Sequence, residues 1–174
     1  MSVRRPIMQL IELFSLFLLF VGDGDQLKEI KLDNGKVQVL LPATPEVMTQ
    51  KLPNGVPLKM YLARTTNALC IVATMDLPDA AGDSEEKLQE RLDAARDLAV
   101  QNAKGKLLKE TRIKLANKHP GREVTIELPT GQGVVRQRIY LVDGRVLQVM
   151  VIGSLEVVQG ALASRFLDSL VVAK

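Results

Sequence analysis

The chain has 174 residues, 47% of them apolar and 25% charged, which is the usage of one folded domain and excludes a disordered or low-complexity polymer. A formal charge of +3, from 23 Lys and Arg against 20 Asp and Glu, is too small to specify a polyanionic partner, and no Trp with only two Tyr and four Phe makes a base-stacking nucleic-acid surface hard to build. One cysteine and one histidine exclude an intramolecular disulfide and a His/Cys zinc site within one chain.

Arg4 and Arg5 precede Leu13-Phe14-Ser15-Leu16-Phe17-Leu18-Leu19-Phe20-Val21, an uncharged run that ends at Gly22-Asp23-Gly24-Asp25. A basic start followed by a short apolar run is the layout of a secretory signal peptide, and the small residues Gly22 and Gly24 suit a cleavage after Gly24. An uncleaved anchor is the alternative, although the run is short of the ~20 apolar residues that span a bilayer. A buried core helix, apolar on all sides, is the third reading. Residues 1–24 are therefore expected to be a signal peptide or membrane anchor, and residues 25–174 a single domain. That domain is expected in the periplasm or cell envelope, with at most weak membrane association through the N-terminal segment.

Residues 36–41 predict a first strand, closed by Pro42 and Pro45. Residues 47–52 and 56–64 flank Pro53-Asn54-Gly55, where Asn-Gly supplies the positive φ of a tight hairpin. Residues 68–75 are apolar on both faces, as in a central strand covered on both sides. Asp83 or Ser84 then caps a helix, Asp83 and Glu86 having the spacing of a capping box. Leu88, Leu92, Ala95, Leu98, Ala99 and Ala103 give that helix one apolar face, and Gly105 is expected to end it. Residues 107–118 and 122–128 pair around Pro120-Gly121. Their parity sets Arg112 and Lys114 beside Glu123, Thr125 and Glu127 on an outer face. Residues 133–142 and 145–153 form a hairpin around Asp143-Gly144, with Val135, Ile139 and Leu141 on one face and Arg136, Arg138, Tyr140 and Val142 on the other. A second helix from Leu155 carries Val158, Leu162 and Phe166, and residues 170–173 end the chain as a short apolar segment. Hairpin-linked strands, several of them two-sided, with two amphipathic helices predict an α+β fold. It is a mostly antiparallel sheet with helices on both faces, an α/β/α sandwich.

Gly121-Arg122-Glu123, the run Arg136, Arg138 and Tyr140, a strand ending at Gly153, and Phe166-Leu167-Asp168-Ser169 closing the last helix carry a resemblance. Together they resemble the PsbP-like sandwich domains, a fold shared by an extrinsic photosystem II subunit, a Ran-binding nuclear import factor and many small exported bacterial proteins. The likeness spans residues 30–174 in element order and its motifs lie within 121–169. It implies a non-enzymatic docking domain and carries over no site residues.

No catalytic, cofactor or metal constellation stands out. Cys70 lies inside a two-sided apolar strand and reads as a small buried hydrophobe; its only available base, His119, sits before Pro120 in an expected turn. Asp76, Asp79, Asp83 and Asp143 fall in turns, and Gly131-Gln132-Gly133 lacks the context of a dinucleotide loop. Arg136 and Arg138, on one face with Tyr140, are the candidate contact for a partner or an anion, because arginine presents a rigid donor fork. The basic series Lys104, Lys106, Lys109, Arg112, Lys114, Lys118 and Arg122 reads as a solvated edge. The expected function is a non-catalytic binding or accessory domain docking on a protein or envelope component, with no cofactor. The alternative is a carrier of a small apolar ligand between sheet and helix, which an interior containing Met60, Met75 and Met150 would permit.

Overall fold

Short turns between alternating or two-sided apolar runs lay the strands down antiparallel. A computed structural model describes residues 26–52, 54–131 and 133–173, with the backbone alone of Thr130; the expected signal peptide or anchor over residues 1–24 lies outside them. The elements are β1 (Lys28–Leu32), β2 (Val37–Leu41), β3 (Glu46–Lys51), β4 (Pro57–Arg64), β5 (Ala68–Asp76), α1 (Glu85–Ala103), β6 (Lys106–Leu115), β7 (His119–Glu127), β8 (Val134–Val142), β9 (Arg145–Gly153), α2 (Leu155–Gln159), α3 (Ala161–Asp168) and β10 (Val171–Val172). Seven strands form an antiparallel sheet in the order β3-β4-β5-β9-β8-β7-β6, and β1-β2-β10 form a second, three-stranded sheet.

The apolar character of β5, β8 and β9 on both faces has the expected consequence. One face of the large sheet (Tyr61, Cys70, Val72, Leu147, Val149) packs against the small sheet and against Val158, Phe166 and Leu167 of α2 and α3. The other face (Ile139, Leu141, Val146; Val124, Ile126) meets Leu92, Ala95, Ala99 and Ala103 of α1. Helices cover both faces, so the α/β/α sandwich is the observed architecture.

Four expectations are corrected. Strand β1 was not predicted, because Lys28-Glu29-Ile30-Lys31-Leu32 is short and charged; it is an edge that pairs with β2 alone. The reversal between β6 and β7 falls at Ala116 and Asn117, both left-handed at φ 50° and 57°, rather than at Pro120-Gly121, which lie inside β7. The register therefore sets Arg112 opposite Arg122 and Thr111 opposite Glu123, with a bulge between Leu107 and Lys109. Arg112 and Lys114 consequently face away from Glu123 and Thr125, since a one-residue slip turns every side chain to the other face. Helix α1 ends on Lys104, left-handed at φ 48°, and Ser84 provides its cap by accepting from the Lys87 amide at 3.3 Å. Gly105 serves another purpose, leaving room for the Glu127 carbonyl and the Ile126 side chain. The last helix is broken by Gly160 at φ −68°, ψ 167°, so Ala163, Phe166 and Leu167 are buried where Leu162 was expected. The apolar tail becomes β10, joining β2 through Val171–Gln38 and Val172–Val37.

Gly121 is in β7 because of what lies over it. A Cβ there would stand 2.5 Å from Cδ1 of Tyr140 and 2.6 Å from the Ile139 carbonyl oxygen. Gly121→Ala is expected to lower unfolding stability by about 1–3 kcal/mol, as overpacking does, measured by urea denaturation.

Candidate functional site

Arg136 and Arg138 alternate with Gln137 on β8 and so share the face covered by α2 and α3, where Glu123 of β7 stands between them. Arg136 donates to Glu123 at 3.1 Å, to the Val158 carbonyl at 3.3 Å and to the Ser164 hydroxyl at 3.1 Å. Arg138 donates to Glu123, to the Leu167 carbonyl at 3.0 Å and to Asp168 at 2.6 Å. Each guanidinium meets the last turn of one helix, where unpaired carbonyls carry partial negative charge. Burial alone would lower the Arg138 pKa, but hydrogen bonds to Glu123 and Asp168 outweigh it and raise it. Tyr140 is 3% exposed, and burial raises its phenol pKa against the opposing charge of Arg138. The structure thus brings the three sequence candidates together and turns both arginine forks onto acceptors of the same chain.

Cys70 and His119 are kept apart. The register runs from Cys70 through Val151 and Arg136 to Thr125, leaving the stretch from Thr125 to His119, about 20 Å at ~3.3 Å per residue, along β7. Burial pushes the Cys70 thiol up to about 12, which favours the thiol over the thiolate at neutral pH. Among the described residues no group of three or more His, Cys, Asp or Glu is placed to hold a metal, and no helix is long and apolar enough to cross a membrane.

Arg122, read from sequence as part of a solvated basic edge, is instead buried, its side chain 1% exposed. Its Nε donates to Glu110 at 2.9 Å, Nη2 to Asp93 at 2.7 Å, and Nη1 to Gln89. Arg96 joins Glu110 at 2.9 Å. Gln89, Asp93 and Arg96 recur at helical spacing beside the apolar stripe of α1, so this guanidinium fastens the helix over β6 and β7. The sequence signal is that polar stripe, which points to no strand partner while the β6–β7 reversal is placed at Pro120-Gly121.

On the rest of that face, α1 leaves a cleft of about 660 Å³. Ala94, Ala95, Ala99 and Ala103 of α1 line it, small side chains where a fully packed helix would carry Leu. Met60, Ile71, Ala73, Ile139 and Met150 belong to its sheet side, and Gln50, Leu52 and Leu58 come from the β3–β4 hairpin. All three methionines singled out by the sequence, Met60, Met75 and Met150, line it. Four amides, those of Gln50, Asn102, Gln137 and Gln148, interrupt the apolar lining, and Gln137, 5% exposed, donates to Gln148 at 3.0 Å. The sequence places such a space between sheet and helix only as an alternative, because an alanine-rich stripe and a leucine-rich stripe share the same periodicity.

No family model and no curated protein sequence matches the chain. Among solved structures it is similar to the solution structure of cyanobacterial PsbP (CyanoP) from Synechocystis, with a TM-score of 0.55 at 10% identity, covering 91% of this chain and 99% of that one. At that identity the likeness establishes the fold: the domain is a PsbP-like sandwich.

The clamp generates two predictions. Arg122→Met removes the buried cation from Asp93 and Glu110, leaving them paired with Arg96, and is expected to lower stability by about 3 kcal/mol, the lower range for breaking a buried ion pair because both carboxylates keep some solvent and a second cation, as read by urea denaturation. The hydrogen bond from Arg122, opposed by slight burial and aided by Arg96 and Arg112, lowers the Asp93 pKa from 3.8. Its contribution is therefore complete above pH 3.8 and is lost as the pH falls through the lower folded value. Asp93→Asn should lose less stability than wild type between pH 5 and pH 2, compared by thermal melts.

Proposed function

We propose that this domain is a non-catalytic binding module that holds a small apolar ligand in the cleft between α1 and the seven-stranded sheet. The cleft itself carries the reading. Its volume of about 660 Å³ falls in the usual small-molecule range, ~300–1,000 Å³, and its lining is apolar with a few polar groups. A macromolecular partner of ordinary size needs roughly 800 Å² of contact on each side, which favours a broad face over a recess. The arginine pair that could have anchored such a partner is directed inward. A ligand burying about 300 Å² of apolar surface gains about 7.5 kcal/mol before association costs, which sets the expected affinity at micromolar or weaker. Methionine suits such a wall, since its unbranched thioether adapts to differently shaped guests. The buried, protonated Cys70 and its separation from His119 support a binding role over catalysis. The basic start and apolar run before Asp25 support an address in the cell envelope, where the domain would store or hand over its ligand.

Two measurements test this. N-phenylnaphthylamine, a neutral apolar fluorophore, is expected to bind the purified protein saturably with increased emission. Ala95→Leu, which fills the cleft, should weaken that binding at least tenfold without lowering the melting temperature; Ala99→Leu serves if the first variant does not fold. Unsaturable emission, or unchanged affinity in the filled variant, would remove the cleft reading. For the address, the native product is expected as a soluble envelope species beginning near Asp25, read by intact mass and cell fractionation. A full-length soluble cytoplasmic product would contradict it.

A further inference from the structure

Two strands of the cleft break their own apolar alternation at neighbouring positions. On β8 the cleft-facing series is Val135, Gln137, Ile139, Leu141, and on β9 it is Val146, Gln148, Met150, Ile152. The register sets Gln137 opposite Met150 and Gln148 opposite Ile139, so the two amides are diagonal neighbours across one strand pair. Buried amides are unfavourable in an apolar wall unless they are hydrogen-bonded, and a pair of leucines would satisfy this site without that cost.

The mutual hydrogen bond, Gln137 Nε2 to Gln148 Oε1 at 3.0 Å, uses one donor and one acceptor. It leaves the Gln137 carbonyl oxygen and the Gln148 amino group as further acceptor and donor, on residues that line the cleft. Reversing both amides leaves the same complement, one acceptor and one amino group. No buried side-chain nitrogen or oxygen among the described residues lacks a partner, so these spare groups are accessible from the cleft, which the amides of Gln50 and Asn102 also line. The charge of the site is also defined. Arg91 is the cation that lines it, and Arg91 is directed onto Asp83 and the Asp79 carbonyl.

We infer that Gln137 and Gln148 are specificity-determining residues, which select a neutral amphiphile: an apolar body bearing one uncharged hydrogen-bonding group, such as a carboxamide. This inference rests on the proposed cleft function and adds to it the chemical class of the ligand. An apolar body fits the methionine and alanine walls, and the neutral polar group supplies the partner the amides lack. A pure hydrocarbon would leave the spare acceptor and donor of the amide pair unsatisfied, and a carboxylate would be buried against a site whose lining cation is already neutralised.

The test uses three probes with one body, namely naphthalene, naphthalene carboxamide and naphthalene carboxylate, displacing N-phenylnaphthylamine from the full chain. Wild type is expected to bind the carboxamide at least tenfold more tightly than either of the others. In Gln137→Leu/Gln148→Leu that preference should vanish while naphthalene binds as well as before or better; Gln148→Met, which keeps the volume, replaces the double variant if it does not fold. Equal binding of carboxamide and naphthalene by wild type, a preference for the carboxylate, or a carboxamide preference that survives the substitutions would overturn the inference and leave the cleft reading in place. Binding of none of the probes, N-phenylnaphthylamine included, would remove both.

Discussion

The buried guanidinium of Arg122 is the interaction on which the arrangement of α1, and through it the cleft, depends. Its three nitrogens reach Glu110 of β6 and Gln89 and Asp93 of α1, so one side chain ties the helix to the strand pair beneath it. Burying a cation is costly, and the cost is offset here by two carboxylates and an amide at hydrogen-bond distance. Arginine is suited to the position because its planar fork presents several donors in fixed directions. The helix is held at the β6–β7 side of the sheet, and among the described residues the strands toward β3 receive no helix of their own on that face.

The two faces of the sheet are consequently filled in different ways. On the α2–α3 face, Phe166, Leu167 and Val158 are fully or almost fully buried against β5, β8 and β9, and the small sheet adds Val37, Val39 and Leu41. Arg136, Arg138 and Glu123 lock that face, with one arginine at the last turn of each helix. On the α1 face, Leu92 is the helix residue that is fully buried, and four alanines line the cleft together with Arg91, Leu98 and Asn102. Packing explains the first face completely. The second stays open because its helix is fixed by polar contacts at one side and carries small side chains at the other.

Architecture was legible in the sequence where backbone chemistry and hydrophobic period agreed. Asp143-Gly144 and Asn54-Gly55 marked their hairpins, and the two-sided apolar runs of β5 and β9 marked strands covered on both faces. Legibility failed where one residue type serves two purposes. Gly121 and Pro120 resembled a turn, but Gly121 is required by the Tyr140 ring and the reversal is made by Ala116 and Asn117, which carry weaker turn signals. That single misplacement hid the contact between Arg122 and Glu110, since it moved the β6 side chains to the wrong face while the alternation of β7 held. Arg136, Arg138 and Tyr140 were correctly placed on one face, yet nothing local in the sequence shows that Glu123, Asp168 and two helix ends would converge on them. The methionines and the space they border depend on how far a helix stands from a sheet, a distance that periodicity does not encode.

If the α1 cleft is a ligand site, the methionine methyl groups on its wall report on it directly. With isotope-labelled methionine, adding N-phenylnaphthylamine should shift the methyl resonances of Met60, Met75 and Met150, which line the cleft. Saturable shifts at those three positions are the predicted result. Resonances that stay in place while the fluorophore binds would put the guest elsewhere on the molecule and contradict the account.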